Sequence, residues 1–214
     1  EKTLALLSAE FAKLGLKPGN NGSWFQDVPL VEITAKNVST LTFTGGKAPV
    51  TAAYGPEMVI GTYRTTQPHI AVKDSPVVFV GYGINAPEKG WNDYAGVDVK
   101  GKTVIILVND PDYETTGLTG TFNGRAMTYY GRWTYKYEEA ARQGAAAAII
   151  VHDTVPAAYG WNVVQSSWTG AQHVADSANG NADQSAAIGW IQKDKAQALF
   201  ASAGMNLNAQ MRAA

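Results

Sequence analysis

Leu4, Leu7, Phe11 and Leu14 recur at three- and four-residue spacing. That period predicts a helix over residues 3–14 with one apolar face. Gly15 stands where a left-handed cap would close it, and Leu16 can fold back onto Phe11. So apolar a face needs a partner surface. Residues 17–23 form a Pro/Gly/Asn turn region. Residues 28–33 (VPLVEI) and 40–44 (TLTFT) then read as two strands of a hairpin, connected around Lys36 and Asn37. Gly45 and Gly46 interrupt the pattern, and a domain boundary is expected there.

Beyond residue 52 the pattern changes to short apolar runs between turns. Residues 77–82 (VVFVGY), 102–108 (KTVIILV), 147–151 (AAIIV) and 186–191 (AAIGWI) read as buried strands. A helix is expected over 135–143, and Gly144 ends it abruptly before the next strand. A second is expected over 193–203, with Ala196, Leu199, Phe200 and Ala203 inward, Gly204 as its cap and Met205 returning to Phe200. Residues 207–214 begin a further helix. Strand, long connection, strand, helix, strand predicts an α/β fold, a mixed sheet with a helix packed on one side. Residues 154–185, rich in Gly, Ser, Asn and Asp, read as a long loop, and loops of that length are usually functional or mobile.

Composition narrows the function classes. The 214 residues are 45% hydrophobic, too many for disorder, and the net charge of -1 leaves no cationic surface for nucleic acid. The longest apolar run, 145–151, is too short to cross a bilayer. There are no cysteines, which removes disulfides, thiolate metal sites and cysteine nucleophiles together. The chain opens on Glu1 and not on Met, so a processed or excised N-terminus is expected.

Four groups of residues carry candidate chemistry. Arg125, Tyr129, Tyr130, Arg132 and Trp133 crowd into one stretch. Planar cations among aromatics suit recognition of peptides or partner surfaces, although the aromatics could equally be buried with the arginines covering them. Trp161 and Trp168, with Tyr159, Asn162, Gln165 and Ser166, have the ingredients of a sugar-stacking platform; the plainer reading is that they pin their loop to the core. Asp110, Asp112 and Glu114 alternate after a strand, as calcium ligands do, or else cap a solvated turn. His152 beside Asp153 suggests an acid–base pair if a nucleophile faced it, but no G-x-S-x-G motif accompanies it, so a structural histidine is expected.

The segments VVFVGYGI (77–84), NDYAGVDVKGKTVIILVND (92–110), EEAARQGA (138–145) and AIIVHD (148–153) resemble the protease-associated domain inserted in M28-family zinc aminopeptidases. FAKLGLKP (11–18) and SWFQDVPLVEI (23–33) resemble the start of the catalytic domain just before that insertion. The resemblance implies a swivelling β/β/α domain over 48–203, preceded by a catalytic-domain segment over 1–47 (helix plus hairpin) and followed at 204–214 by the return to that domain. It implies a zinc-dependent parent enzyme that hydrolyses N-terminal peptide bonds, in a periplasmic or secreted setting. The zinc would sit in the parent catalytic domain. The family's His-x-Asp ligand pair has no counterpart here, since His69, His152 and His173 are followed by other residues, and Glu138-Glu139 differs in context from the family's catalytic pair. No zinc ligand or catalytic residue is assigned, and this stretch alone is expected not to cleave peptides.

The partners implied are the catalytic domain of the same chain and a peptide substrate, without nucleic acid or membrane. A homodimer through the apolar N-terminal segment is a further possibility. In the resemblance the Arg125–Trp133 stretch faces the catalytic domain and shapes its cleft. The alternatives are a stand-alone peptide- or glycan-binding module using Trp161 and Trp168, and an independent hydrolase using His152 and Asp153.

Overall fold

A computed structural model describes residues 1–214. Its contacts divide the chain into two units, Glu1–Leu30 and Val31–Ala214. The first holds α1 (Lys2–Lys13). Gly15 adopts φ 76°, its amide donates to Ala12 O (3.0 Å), and the Leu16 amide donates to Phe11 O (3.1 Å). These paired bonds satisfy the last carbonyls of the helix, as Gly15 led one to expect. No residue of α1 is buried. A tight turn follows, with Asn21 and Gly22 at positive φ between reciprocal Asn20–Ser23 backbone bonds. Positive φ at both central residues is what a type I′ turn demands.

The strand β1 (Leu30–Ile33) runs across the division. The second unit then continues through β2 (Leu41–Phe43), β3 (Val50–Ala52), β4 (Met58–Gly61), β5 (Val77–Phe79), β6 (Asn85–Ala86), β7 (Trp91–Asn92) and β8 (Thr103–Leu107). After a long connection come α2 (Trp133–Arg142), β9 (Ala147–His152), α3 (Thr154–Ala157), α4 (Trp161–Trp168), β10 (Gln172–Ala175), β11 (Ala187–Gln192), α5 (Lys193–Ser202) and α6 (Leu207–Ala213). The molecule is mixed α/β.

Its centre is a five-stranded sheet in the order β4-β11-β9-β8-β5. β5, β8, β9 and β11 are parallel, and β4 closes one edge antiparallel to β11. Every residue of β8 is buried, and every residue of β9. Continuous burial is what a strand covered on both faces requires, which explains their unbroken apolar runs. Because side chains alternate, each strand feeds two cores. Ile105, Leu107, Ile149, Val151 and Ile191 pack with Phe43, Phe200 and Leu207, under β2, α5 and α6. Val104, Ile106, Ala148, Ile150, Ile188 and Trp190 pack with Tyr137, Ala140 and Val164, under α2 and α4.

Three expectations change. Residues 28–33 and 40–44 do not pair with each other: β1 pairs with β10, and β2 pairs antiparallel with β3. Gly45 and Gly46 therefore lie in the connection of the β2–β3 hairpin, and the division in contacts falls earlier, after Leu30. Residues 154–185 are not one long loop, since they contain α3, α4 and β10. Trp161, Val164, Gln165 and Trp168 have helical spacing, which the surrounding Ser, Gly and Asn obscured.

Candidate contact loop between β8 and α2

The chain leaves β8 at Val108 and re-enters regular structure at the short 3-10 turn Tyr129–Gly131, just before α2. Both ends of this excursion are pinned together. The Asn109 amide donates to Gly131 O (3.1 Å). Asp110, fully buried, accepts from the Thr128 amide (2.6 Å) and the Thr128 hydroxyl (3.0 Å). Thr128 Oγ1 in turn accepts from the Tyr130 amide (3.2 Å) and caps the 3-10 turn. A Cβ on Gly131 would lie 2.9 Å from the Asp110 carboxylate carbon, so the turn needs a glycine to come this close.

Within the loop, Phe122 is completely buried and packs edge-on against Trp91 (5.4 Å) and Tyr130 (5.8 Å). Its amide donates to Asp112 Oδ2 (2.9 Å), and Lys89 Nζ donates to Thr121 O (2.8 Å). An internal plug and backbone bonds at both ends give the segment a defined shape without regular structure.

The sequence-derived contact residues separate into two sets. Arg125 and Arg132 are exposed, and neither guanidinium has a side-chain hydrogen bond or ion pair. Tyr129 is 54% exposed, with its hydroxyl donating to Glu138 (2.5 Å). Tyr130 is half-buried and donates to Glu88 (2.6 Å); that bond pushes its hydroxyl up to about 12 and holds the Glu88 carboxyl below its ordinary range. Met127 is also exposed, and its side chain crosses Gly131. Trp133 belongs to the second set. It packs edge-on against Tyr137 (5.9 Å) and Trp168 (5.9 Å), on the core beneath α2 and α4.

Trp161 and Trp168 are both half-buried. The Trp161 indole N–H donates to Gly55 O (3.0 Å), and its ring meets His152 edge-on at 5.5 Å. Trp168 packs on Trp133 and Tyr137, and its carbonyl accepts from the Tyr54 hydroxyl (3.4 Å). His152 is 4% exposed; its Nε2–H donates to Tyr159 O (3.1 Å), and burial lowers its pKa, so the ring is neutral near pH 7. Asp153 is engaged by Lys193 and does not orient the imidazole. Asp110 and Asp112 are occupied by Thr128 and Phe122, and Glu114 accepts from the Tyr113 hydroxyl (3.1 Å). These three carboxylates do not converge into a ligand set.

Lys136 was not foreseen from the sequence. It is fully buried, between the loop's root and the turn after β5. Nothing in its local pattern marks it, because a helical lysine ordinarily faces water. An open groove of about 1600 Å³ lies elsewhere in the second unit, lined by Ile60, Phe79, Ile149, Ile188 and Phe200 among others.

No family model matches the sequence, and no curated protein matches it. A solved structure, an aminopeptidase from Aneurinibacillus sp. strain AM-1, aligns with 97% of this chain at 20% identity and a TM-score of 0.35. The alignment covers 35% of that protein, so the chain spans about a third of its length.

Proposed function

We propose that the chain is a non-catalytic part of a zinc-dependent M28 aminopeptidase: a protease-associated domain joined to an N-terminal piece of the catalytic domain. One observation carries the reading. The four segments that resemble the inserted domain fall on β5, β8, α2 and β9, and these strands are neighbours in one sheet, with α2 packed on it. Scattered chance likenesses have no reason to assemble into one contiguous unit. The exposed stripe of α1 fits the same reading, because a helix of the catalytic domain would cover it there.

On this account the domain lids the active site and restricts peptide access, and the β8–α2 loop supplies contacts. The free guanidinium groups of Arg125 and Arg132 suit a peptide carboxylate or an acidic patch of the catalytic domain. Tyr129 and Tyr130 stand between them in the chain, whereas Trp133 anchors the segment on the core. Zinc and the chemistry of peptide hydrolysis belong to the catalytic domain, and the setting is periplasmic or secreted.

The contact role is tested in the enzyme extended past Ala214. Arg125→Ala and Arg132→Ala are expected to raise KM for peptides by about tenfold with kcat nearly unchanged, as loss of a uniform binding contact does. Single aminoacyl chromogenic substrates should be less affected. Unaltered kinetics on both substrate classes would remove the loop from substrate recognition.

A further inference from the structure

Lys136 Nζ donates to Tyr82 O (2.6 Å) and Asn109 O (3.0 Å), and lies 5.7 Å from the centre of the Tyr82 ring. The two carbonyls follow the ends of neighbouring parallel strands, β5 and β8. Two carboxylates act on the amine through space without pairing with it directly: Asp110 at the root of the loop and Asp93 after β7. Asp93 accepts from the Ile84 amide and the Trp91 indole, both at 2.9 Å. Glu139, on the same helix, is taken up by Arg142 (2.7 Å) and Gln143 (2.7 Å). Burial pushes the Tyr82 hydroxyl up to about 12, so it stays neutral. Burial also lowers Lys136 to about 7, against the pull of Asp110 and Asp93, whose own carboxyls burial raises.

We propose that buried Lys136, through its bond to the Asn109 carbonyl beside Asp110, forms an internal brace that sets the pose of the 111–127 loop and lets it open when Lys136 takes up a proton. The regulatory meaning of that opening rests on reading the loop as a contact surface; the opening itself does not.

Asn109 and Asp110 are the loop's root. Lifting the loop removes one of the amine's two acceptors, carries the Asp110 charge away from it, and admits water. In water the amine returns toward ordinary lysine behaviour, so the open form holds the proton more tightly than the closed one. Opening is therefore favoured as pH falls from the ordinary lysine range, near ~10.4, toward about 7. The gain is up to about tenfold per pH unit. Below about 7 both forms are protonated and the dependence on Lys136 ends. Both are deprotonated at the alkaline extreme, where the brace is tightest.

Amide hydrogen exchange on this chain between pH 7 and 9.5 tests the proposal. The Thr128 amide, which donates to Asp110, reports the loop, and the Ile150 amide in β9 reports the core. After correction for intrinsic exchange, the Thr128 opening constant should rise severalfold to about tenfold per unit as pH falls, while Ile150 lags behind. Lys136→Met should abolish that slope. A flat wild-type profile, a slope that survives Lys136→Met, or Thr128 and Ile150 moving in step would each overturn the proposal. Should Lys136→Met not fold, the titration of the Lys136 side chain in the wild-type protein decides. A midpoint near neutrality supports the brace, and one above 10 contradicts it. These readouts use neither substrate nor catalytic partner, so a negative result leaves the proposed function standing.

Discussion

Tyr137 and Gly189 show how closely β11 is fitted to its surroundings. The Tyr137 hydroxyl donates to Gly189 O (2.8 Å) from a fully buried position on α2. A Cβ on Gly189 would lie 2.1 Å from Val59 O on β4, so β4 and β11 pair at this register only because residue 189 has no side chain. Gly189→Ala is expected to cost about 1–3 kcal/mol through forced backbone shifts, read as a lower urea midpoint. Tyr137→Phe should cost about 1 kcal/mol, the net worth of one buried hydrogen bond. Sequence alone made Trp190 and Ile191 legible as core but gave no reason for Gly189, because the clash lies across the sheet. Lys136 and Asp110 were hidden for the same reason. Their partners come from Tyr82, Asn109 and Thr128, as many as 54 residues away in the chain.

At the scale of elements, local signals served well where one stretch decides its own structure. The caps at Gly15 and Gly204 behave as the sequence implies: Gly204 has φ 77°, and the Met205 amide donates to Phe200 O (2.8 Å). β8, β9, α2, β11 and α5 lie within about two residues of their expected bounds. Pairing choices were not legible. Residues 28–33 and 40–44 each looked like half of a hairpin, yet their partners are β10 and β3. Nothing within a strand's own sequence names its neighbour. Two predictions belong here. Leu4→Ser and Leu7→Ser on α1 should each change stability by less than about 0.5 kcal/mol, because neither side chain is buried. Phe122→Ala in the contact loop should cost about 3–5 kcal/mol or selectively loosen the loop, read as faster proteolysis between residues 113 and 127. If Phe122→Ala were neutral in both stability and proteolysis, the plug would not organise the loop.

At the scale of the whole molecule, the α/β class followed from the order of apolar runs. The three-layer packing of the second unit follows from strands buried on both faces. The candidate site was legible as a cluster of residues, Arg125 to Trp133, but not as a surface. The sequence could not show that Trp133 turns inward while Arg125, Tyr129 and Arg132 remain exposed. The proposed function makes these 214 residues a non-catalytic part of an aminopeptidase, and that proposal is what most needs testing. The most direct measurement is turnover of a panel of aminoacyl chromogenic substrates with added zinc, on this chain and on the chain extended past Ala214. The expected result is no turnover by residues 1–214 and zinc-dependent release of N-terminal amino acids by the longer chain. Zinc-dependent turnover by these residues alone, or no activity from a folded, zinc-loaded longer chain, would contradict it.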